Sequence, residues 1–337
     1  VTTGSGNDVI NLSGGQDSVS AYFSSEAAKD GSWSSNYVWA DVRDWGKSNV
    51  KAGSGDDIIT LTGTIESTTY DYGSYSGSYG DGTGYGRIWG EDGNDTIDAS
   101  NTTVVRDLNG GAGDDIIYGA QEYTNYINGG TGDDTITSSK GQLVSNRWSY
   151  IDGGEGNDTI TSSTTLGVSN TTIYGGFGDD IITAGDGDYR IYGDTGHIKN
   201  GRDDWWWNHY GIKEYSKGGN DTITGGAGND SIWGGYGDDI INAGDGDNTV
   251  YGGDGNDSLT GGSGVDVIEG GEGNDIFQGN GGNDIYYGYT TNSTDSNTSA
   301  VDTLILSGAH SDYAISRVSN DIFNYGYYIS DIGSGFS

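Results

Sequence analysis

Residues Ser216–Tyr287 read SKGGNDTIT GGAGNDSIW GGYGDDIIN AGDGDNTVY GGDGNDSLT GGSGVDVIE GGEGNDIFQ GNGGNDIYY. Eight nonapeptide units follow one another here without a break. The pattern is G-G-x-G-[N/D]-D-x-U-x, with U a large apolar residue. A unit this short cannot bury its one apolar side chain alone, so it folds only by stacking on its neighbours. Gly at positions 1, 2 and 4 permits positive φ and close backbone approach. Asp at position 6 supplies a carboxylate. Positions 7–9 form a minimal strand with one inward side chain. A flexible acidic linker would have no need of a strict apolar residue at position 8.

The same unit recurs upstream with interruptions: from Thr3, Leu12, Ala52, Gly90, Gly110, Gly129, Gly153, Gly175 and Ala184. The starts at Gly90, Gly110, Gly129, Gly153 and Gly175 are unevenly spaced, each interval being longer than two complete units. The spacing predicts a roll with one regular edge and one edge of longer, variable loops. The expected inward column is Ile10, Ile59, Ile97, Ile117, Ile136, Ile160, Ile182, Ile191, Ile223, Ile232, Ile241, Val250, Leu259, Ile268, Phe277 and Tyr286. The segment 175–193 is closely repeated at 234–252, with the variant AGDGD in the same place in both copies.

The nonapeptide resembles the repeat of the RTX (hemolysin-type calcium-binding) family. The resemblance implies an all-β fold, a parallel β-roll (β-helix, solenoid) with two units per turn and calcium between loops stacked on one edge. Carried onto this chain, the metal-ligating carboxylates are Asp8, Asp17, Asp57, Asp95, Asp115, Asp134, Asp158, Asp180, Asp221, Asp230, Asp239, Asp257, Asp266, Asp275 and Asp284, with backbone carbonyls of the adjacent Gly-rich loops. Asp221, Asp239, Asp257 and Asp275 belong to one column, and Asp230, Asp266 and Asp284 to the other. Asn248 and Tyr189 take the Asp position in the two AGDGD units, which puts those two sites in doubt. Calcium accepts about 6–8 oxygens, carboxylate and carbonyl alike. No EF-hand loop is present. About ten ions would cancel roughly 20 charges, and binding free energy would then be folding free energy.

Composition narrows the classes. With 50 Asp and Glu against 14 Lys and Arg, the net charge is −36, which argues against nucleic acid as a partner. Hydrophobic residues make up 31%, and no apolar run is long enough for a membrane-spanning helix, so membrane insertion is not expected. Cys, Pro and Met are absent, which removes disulfides, zinc thiolates and thiol nucleophiles. Three His, at 197, 209 and 310, are too few for a transition-metal site. Neither G-x-S-x-G nor H-E-x-x-H occurs, so the chain is not expected to be an enzyme.

The expected organisation is a calcium roll with loop insertions at 1–193, an aromatic and basic insertion at 194–215, a regular roll at 216–287, and a linker with a small β-strand cap at 288–337. The cap should use strands near 302–308, 312–318 and 324–332. The insertion reads HIKNGRDDWWWNHYGIKEY over 197–215, with Trp205, Trp206, Trp207 and Tyr210 as candidate partner contacts. Trp33, Trp39, Trp45 and the Tyr/Gly/Ser tract at 70–89 are further aromatic interruptions. No signal peptide is visible, and Val1 enters a repeat at once, as expected for a processed product or a piece of something longer. By resemblance the chain is extracellular or on a bacterial cell surface, exported by type I secretion.

Three functions follow. The first is a self-associating structural component of a surface layer, sheath or filament, whose partners are copies of itself. The second is a calcium-dependent adhesin module gripping cell-surface polysaccharide. The third is the secretion and folding module of a larger toxin or hydrolase.

Overall fold

The structure is a computed structural model that describes residues 9–13, 37–41, 49–56, 58–63, 87–102, 104–121, 123–138, 148–162, 170–194, 218–288, 302–305, 313–321 and 324–331. Among them every regular element is a β-strand. The chain divides into two compact units, Val1–Val144 and Ser145–Ser337.

Each strand of the regular region straddles two nonapeptides. Thr222–Ala227 reads TITGGA, the end of one nonapeptide and the start of the next, and the turn Gly228–Asn229–Asp230 follows. Burial alternates along it, with Ile223 inside and Thr222 exposed, as a pleated strand over a core requires.

In the second unit one parallel sheet (sheet I) runs Thr159–Thr161, Ile181–Thr183, Thr222–Ala227, Ile240–Asp245, Ser258–Ser263, Ile276–Gly281 and Thr303–Ile305. A second parallel sheet (sheet II) runs Trp148–Glu155, Asn170–Phe177, Tyr189–Asp194, Ser231–Tyr236, Thr249–Asp254, Val267–Glu272 and Ile285–Tyr287. The chain alternates between the sheets strand by strand, which is a parallel β-roll. In the regular region the register steps by two nonapeptides, pairing Ile223 with Ile241 and Ile241 with Leu259.

The first unit has the same construction. Its sheet I runs Tyr37–Asp41, Val9–Ser13, Ile58–Gly63, Thr96–Thr102, Ile116–Tyr118 and Thr135–Thr137. Its sheet II runs Asn49–Ser54, Arg87–Asp92, Val104–Ala112 and Tyr123–Thr131.

Two Ile-rich columns face each other inside each unit. In the second unit Ile160, Ile182, Ile223, Ile241, Leu259 and Phe277 come from sheet I; Ile151, Ile173, Ile191, Ile232, Val250 and Ile268 come from sheet II, all at most 2% exposed. A fully buried Ile contributes roughly 1.5–3 kcal/mol. Ile88, Leu108, Ile127, Ile151 and Ile173 are fully buried core residues missing from the sequence-based column, because their half-turns carry no Asp loop.

Thr303–Ile305, expected in a cap, pairs in parallel with Ile276–Gln278 and adds a strand to sheet I. The 312–318 and 324–332 expectations correspond to an antiparallel hairpin, Tyr313–Asp321 with Asn324–Asp331. At the aromatic insertion, Gly193 and Asp194 open the loop that Gly218, Gly219, Asn220 and Asp221 close. A Cβ on Gly193 would collide with Asp221 Oδ2 and the Gly234 carbonyl, as one on Gly234 would with Asp239 Oδ2 and the Gly252 carbonyl. Ser216 and Lys217, read from sequence as the start of that closing loop, lie outside the described residues.

Candidate calcium seats along the Asp rows

From Thr96 onwards, the turn before each sheet I strand ends in an Asp, and within each unit these stack. In the second unit the row is Asp158, Asp180, Asp221, Asp239, Asp257 and Asp275, each at most 1% exposed. Each backbone amide donates to the next Asp's Oδ1: Asp180 to Asp221 and Asp221 to Asp239 at 2.8 Å, Asp239 to Asp257 at 2.9 Å, and Asp257 to Asp275 at 3.0 Å. The first unit has Asp95, Asp115 and Asp134 in the same relation, with both links at 2.7 Å. One carboxylate oxygen of each Asp is thereby fixed by the backbone. A parallel row runs outside it at position 5, where Asp238 N donates to Asn220 Oδ1 at 2.6 Å and Asn256 N to Asp238 Oδ1 at 2.7 Å.

The other oxygen points into a cradle. Oδ2 of Asp115, Asp180, Asp221, Asp230, Asp239, Asp257, Asp266 and Asp275 is buried and accepts no hydrogen bond. Position 1 of the same loop must be Gly to leave room for it: a Cβ on Gly252 would strike both Asp257 Oδ2 and the carbonyl oxygen of Gly270 one turn on. Position 2 needs a different freedom, since Gly253 sits at φ 130°, where a side chain is strained. The cradle is therefore lined by one carboxylate oxygen and backbone carbonyls. Among the described residues no three acidic or imidazole side chains converge as a metal cluster. Any ion held here takes its remaining donors from the backbone.

The electrostatics say that these carboxyls need a partner. Burial, reinforced by neighbouring carboxylates, pushes Asp180 and Asp239 up to about 9 and Asp221 to about 8. Burial also raises Asp115, Asp230 and Asp257 to about 7, and Asp266 and Asp275 to about 6. An ionised carboxylate out of water without a counter-charge is strongly disfavoured, so each must be protonated or paired with a cation. Carbonyl and carboxylate oxygens in a flexible loop suit a hard divalent cation of calcium's size.

The row on the sheet II edge is different. It comprises Tyr189, Asp230, Asn248, Asp266 and Asp284, linked by the same amide-to-side-chain bonds at 2.8–3.0 Å. At its end the Tyr286 hydroxyl donates to Asp284 Oδ2 at 3.1 Å. Asp284 thus stands in the expected row with its outer oxygen already engaged.

Two carboxylates escaped the sequence reading. Asp302 continues the sheet I row: Asp275 N donates to its Oδ1 at 3.1 Å, and a Cβ on Gly288 would strike its Oδ2. The irregular sequence between Gly288 and Asp302 disguised the spacing; the available signal was Asp-Thr-Leu-Ile, an Asp followed by a minimal strand. A second unforeseen carboxylate is Asp194, at position 2. It accepts from Gly219 N at 3.1 Å and Tyr236 N at 2.6 Å, clamping the chain where the 195–217 segment returns. Burial raises it to about 6.

Asp8, Asp17 and Asp57 lie outside the described residues, as do Trp205, Trp206, Trp207, Tyr210, His197 and His209.

The family model for the RTX calcium-binding nonapeptide repeat matches residues 1–21, 81–101, 107–122, 120–142, 149–163, 167–197, 215–250, 233–268 and 260–294, more than half of the chain. The chain belongs to this family and is a calcium-binding β-roll protein. No curated protein matches it.

Proposed function

We propose that calcium fills the Asp cradles and that the folded roll is a self-associating structural component outside a bacterial cell, without enzymatic activity. The observation carrying the calcium part is the row of buried Oδ2 atoms, which at Asp115, Asp180, Asp221, Asp230, Asp239 and Asp257 share with a backbone carbonyl the space that a Cβ at position 1 would fill. Calcium binding, rather than any side-chain chemistry, is what this geometry does. Members of the family are typically secreted, and the calcium-rich exterior suits a chain of net charge −36 that needs counter-ions in order to fold.

Self-association is supported by where the charge is not. One outward row of sheet I in the second unit, Thr159, Ile181, Thr222, Ile240, Ser258 and Ile276, is uncharged, while Asp245 is exposed at the end of its strand. Ile181 is 50% exposed and Ile240 56%. Two copies of a polyanion can approach through such a face without bringing carboxylates together. Sheet II carries a ladder of parallel rings on its outer side, Tyr174, Tyr192, Trp233 and Tyr251, with centroids 5.0, 4.6 and 5.4 Å apart. These rings spend their faces on one another rather than offering them to sugars, which weakens the polysaccharide reading. The Trp205–Trp207 segment is a further contact candidate.

The test is the light-scattering mass of the purified chain, stripped with chelator and titrated with calcium. Growth into large regular particles supports a structural polymer. A monomer that folds with calcium and stays monomeric overturns the self-association reading and leaves the calcium reading standing.

A further inference from the structure

Two loops are built differently from the rest, and in the same way. The loops read A-G-D-G-D-Y at Ala184–Tyr189 and A-G-D-G-D-N at Ala243–Asn248. Both change position 1 from Gly to Ala and position 6 from Asp to another residue. In the open cradles these two positions meet: a Cβ on Gly234, Gly252 or Gly270 would collide with Oδ2 of the Asp at position 6. A methyl at position 1 and a carboxylate at position 6 therefore compete for one space.

Ala243 is fully buried, so its methyl fills that space. Asn248 keeps the structural half of the Asp's role, since its Oδ1 accepts from Asp230 N at 2.9 Å. Its other end is an amide, and Nδ2 donates back to the Gly246 carbonyl within the same loop at 3.2 Å. A donor bonded to that carbonyl stands where Asp257 has a bare oxygen. In the first copy Ala184 is 5% exposed, and Tyr189 is 2% exposed with its hydroxyl 3.3 Å from Ser162 Oγ. The unit from Ala52 pairs Ala with Asp57, which lies outside the described residues.

We propose that the loops at Ala184–Tyr189 and Ala243–Asn248 are closed seats, in which a methyl and a neutral side chain replace the calcium ion. The sheet I row of the second unit is then continuous, whereas on the sheet II edge the Asp230 and Asp266 seats are separated by the closed one at Asn248. The proposal rests on the reading that the Asp cradles hold calcium. The closed loops keep the backbone ladder intact while removing one buried charge and one ion each, so the roll has a cation-independent way of making a turn.

The experiment is calcium stoichiometry per chain by equilibrium dialysis on the full chain, with circular dichroism confirming the fold in calcium. Gly252→Ala/Asp257→Asn, which copies the closed loop into the continuous row, should fold and bind one ion fewer than wild type. Ala243→Gly/Asn248→Asp should bind one more, and Asn248→Asp alone should add none, because the methyl remains. A gain by Asn248→Asp alone, or no gain by the double variant while Gly252→Ala/Asp257→Asn loses one, overturns the proposal. No loss in Gly252→Ala/Asp257→Asn overturns the calcium reading itself, and the proposal with it. If a variant misfolds, calcium anomalous density between Ala243 and Gly261 in wild-type crystals overturns the closed seat directly, and its absence beside density at Asp257 upholds it.

Discussion

The unit of design is a residue pair within one loop, Gly at position 1 and Asp at position 6. The Asp divides its labour: Oδ1 holds the neighbouring turn and Oδ2 faces the cradle. Asp239→Asn keeps an oxygen for Asp221 N but turns an amide towards the ion. It should lose one calcium while raising the calcium concentration at the folding midpoint severalfold, as read by a calcium titration of circular dichroism. Gly234→Ala should have the same sign with Asp239 intact, because its methyl strikes Asp239 Oδ2 and the Gly252 carbonyl. Wild-type calcium dependence in both would contradict the assignment. These Asp residues were legible in the sequence because the period is strict and the residue types are few. Asp302 and Asp194 were not, because each lies beside an insertion that breaks the spacing on which the reading depends.

The strands draw stability from two columns of single apolar residues, thin for a core. Ile232→Ala, at a fully buried sheet II position, should cost about 2–5 kcal/mol, measured by urea unfolding in saturating calcium. Half of this core was hidden from sequence reading in the upstream region. Ile88, Leu108, Ile127, Ile151 and Ile173 sit in half-turns without the Asp loop, marked only by an apolar residue shortly before a Gly. The stacked turns also predict a pH dependence without metal. Burial holds the row carboxyls at about 6 to 9 in the folded state, above their ordinary value of 3.8. Between those values the folded chain binds more protons than the unfolded one, so stability falls as pH rises. In chelator, the β signal should be present near pH 4 and disappear progressively between about pH 6 and 9. A chelated chain more stable at high pH than at low would contradict the buried-carboxylate account.

At the scale of the molecule the net charge is −36, yet the outward row Thr159, Ile181, Thr222, Ile240, Ser258 and Ile276 of sheet I in the second unit is uncharged. Ile181→Glu/Ile240→Glu should leave calcium-dependent folding unchanged and reduce the light-scattering mass of the calcium form. Trp205→Ser/Trp206→Ser/Trp207→Ser tests the insertion separately, with loss of assembly expected at unchanged folding. If neither variant changes the mass, these surfaces are not the contacts. The class of fold was legible from Ser216–Tyr287 alone, because a nonapeptide period with one apolar position admits few architectures. The surfaces proposed for assembly were not legible, since outward positions are ones that the repeat leaves free to vary. The central claim is that calcium in the Asp rows is what folds this chain. Its most direct test is far-UV circular dichroism of the chelator-stripped chain at about pH 8.5, titrated with calcium. The account predicts a disordered spectrum that converts cooperatively to a β spectrum as calcium is added. The same β spectrum in chelator and in calcium would contradict it.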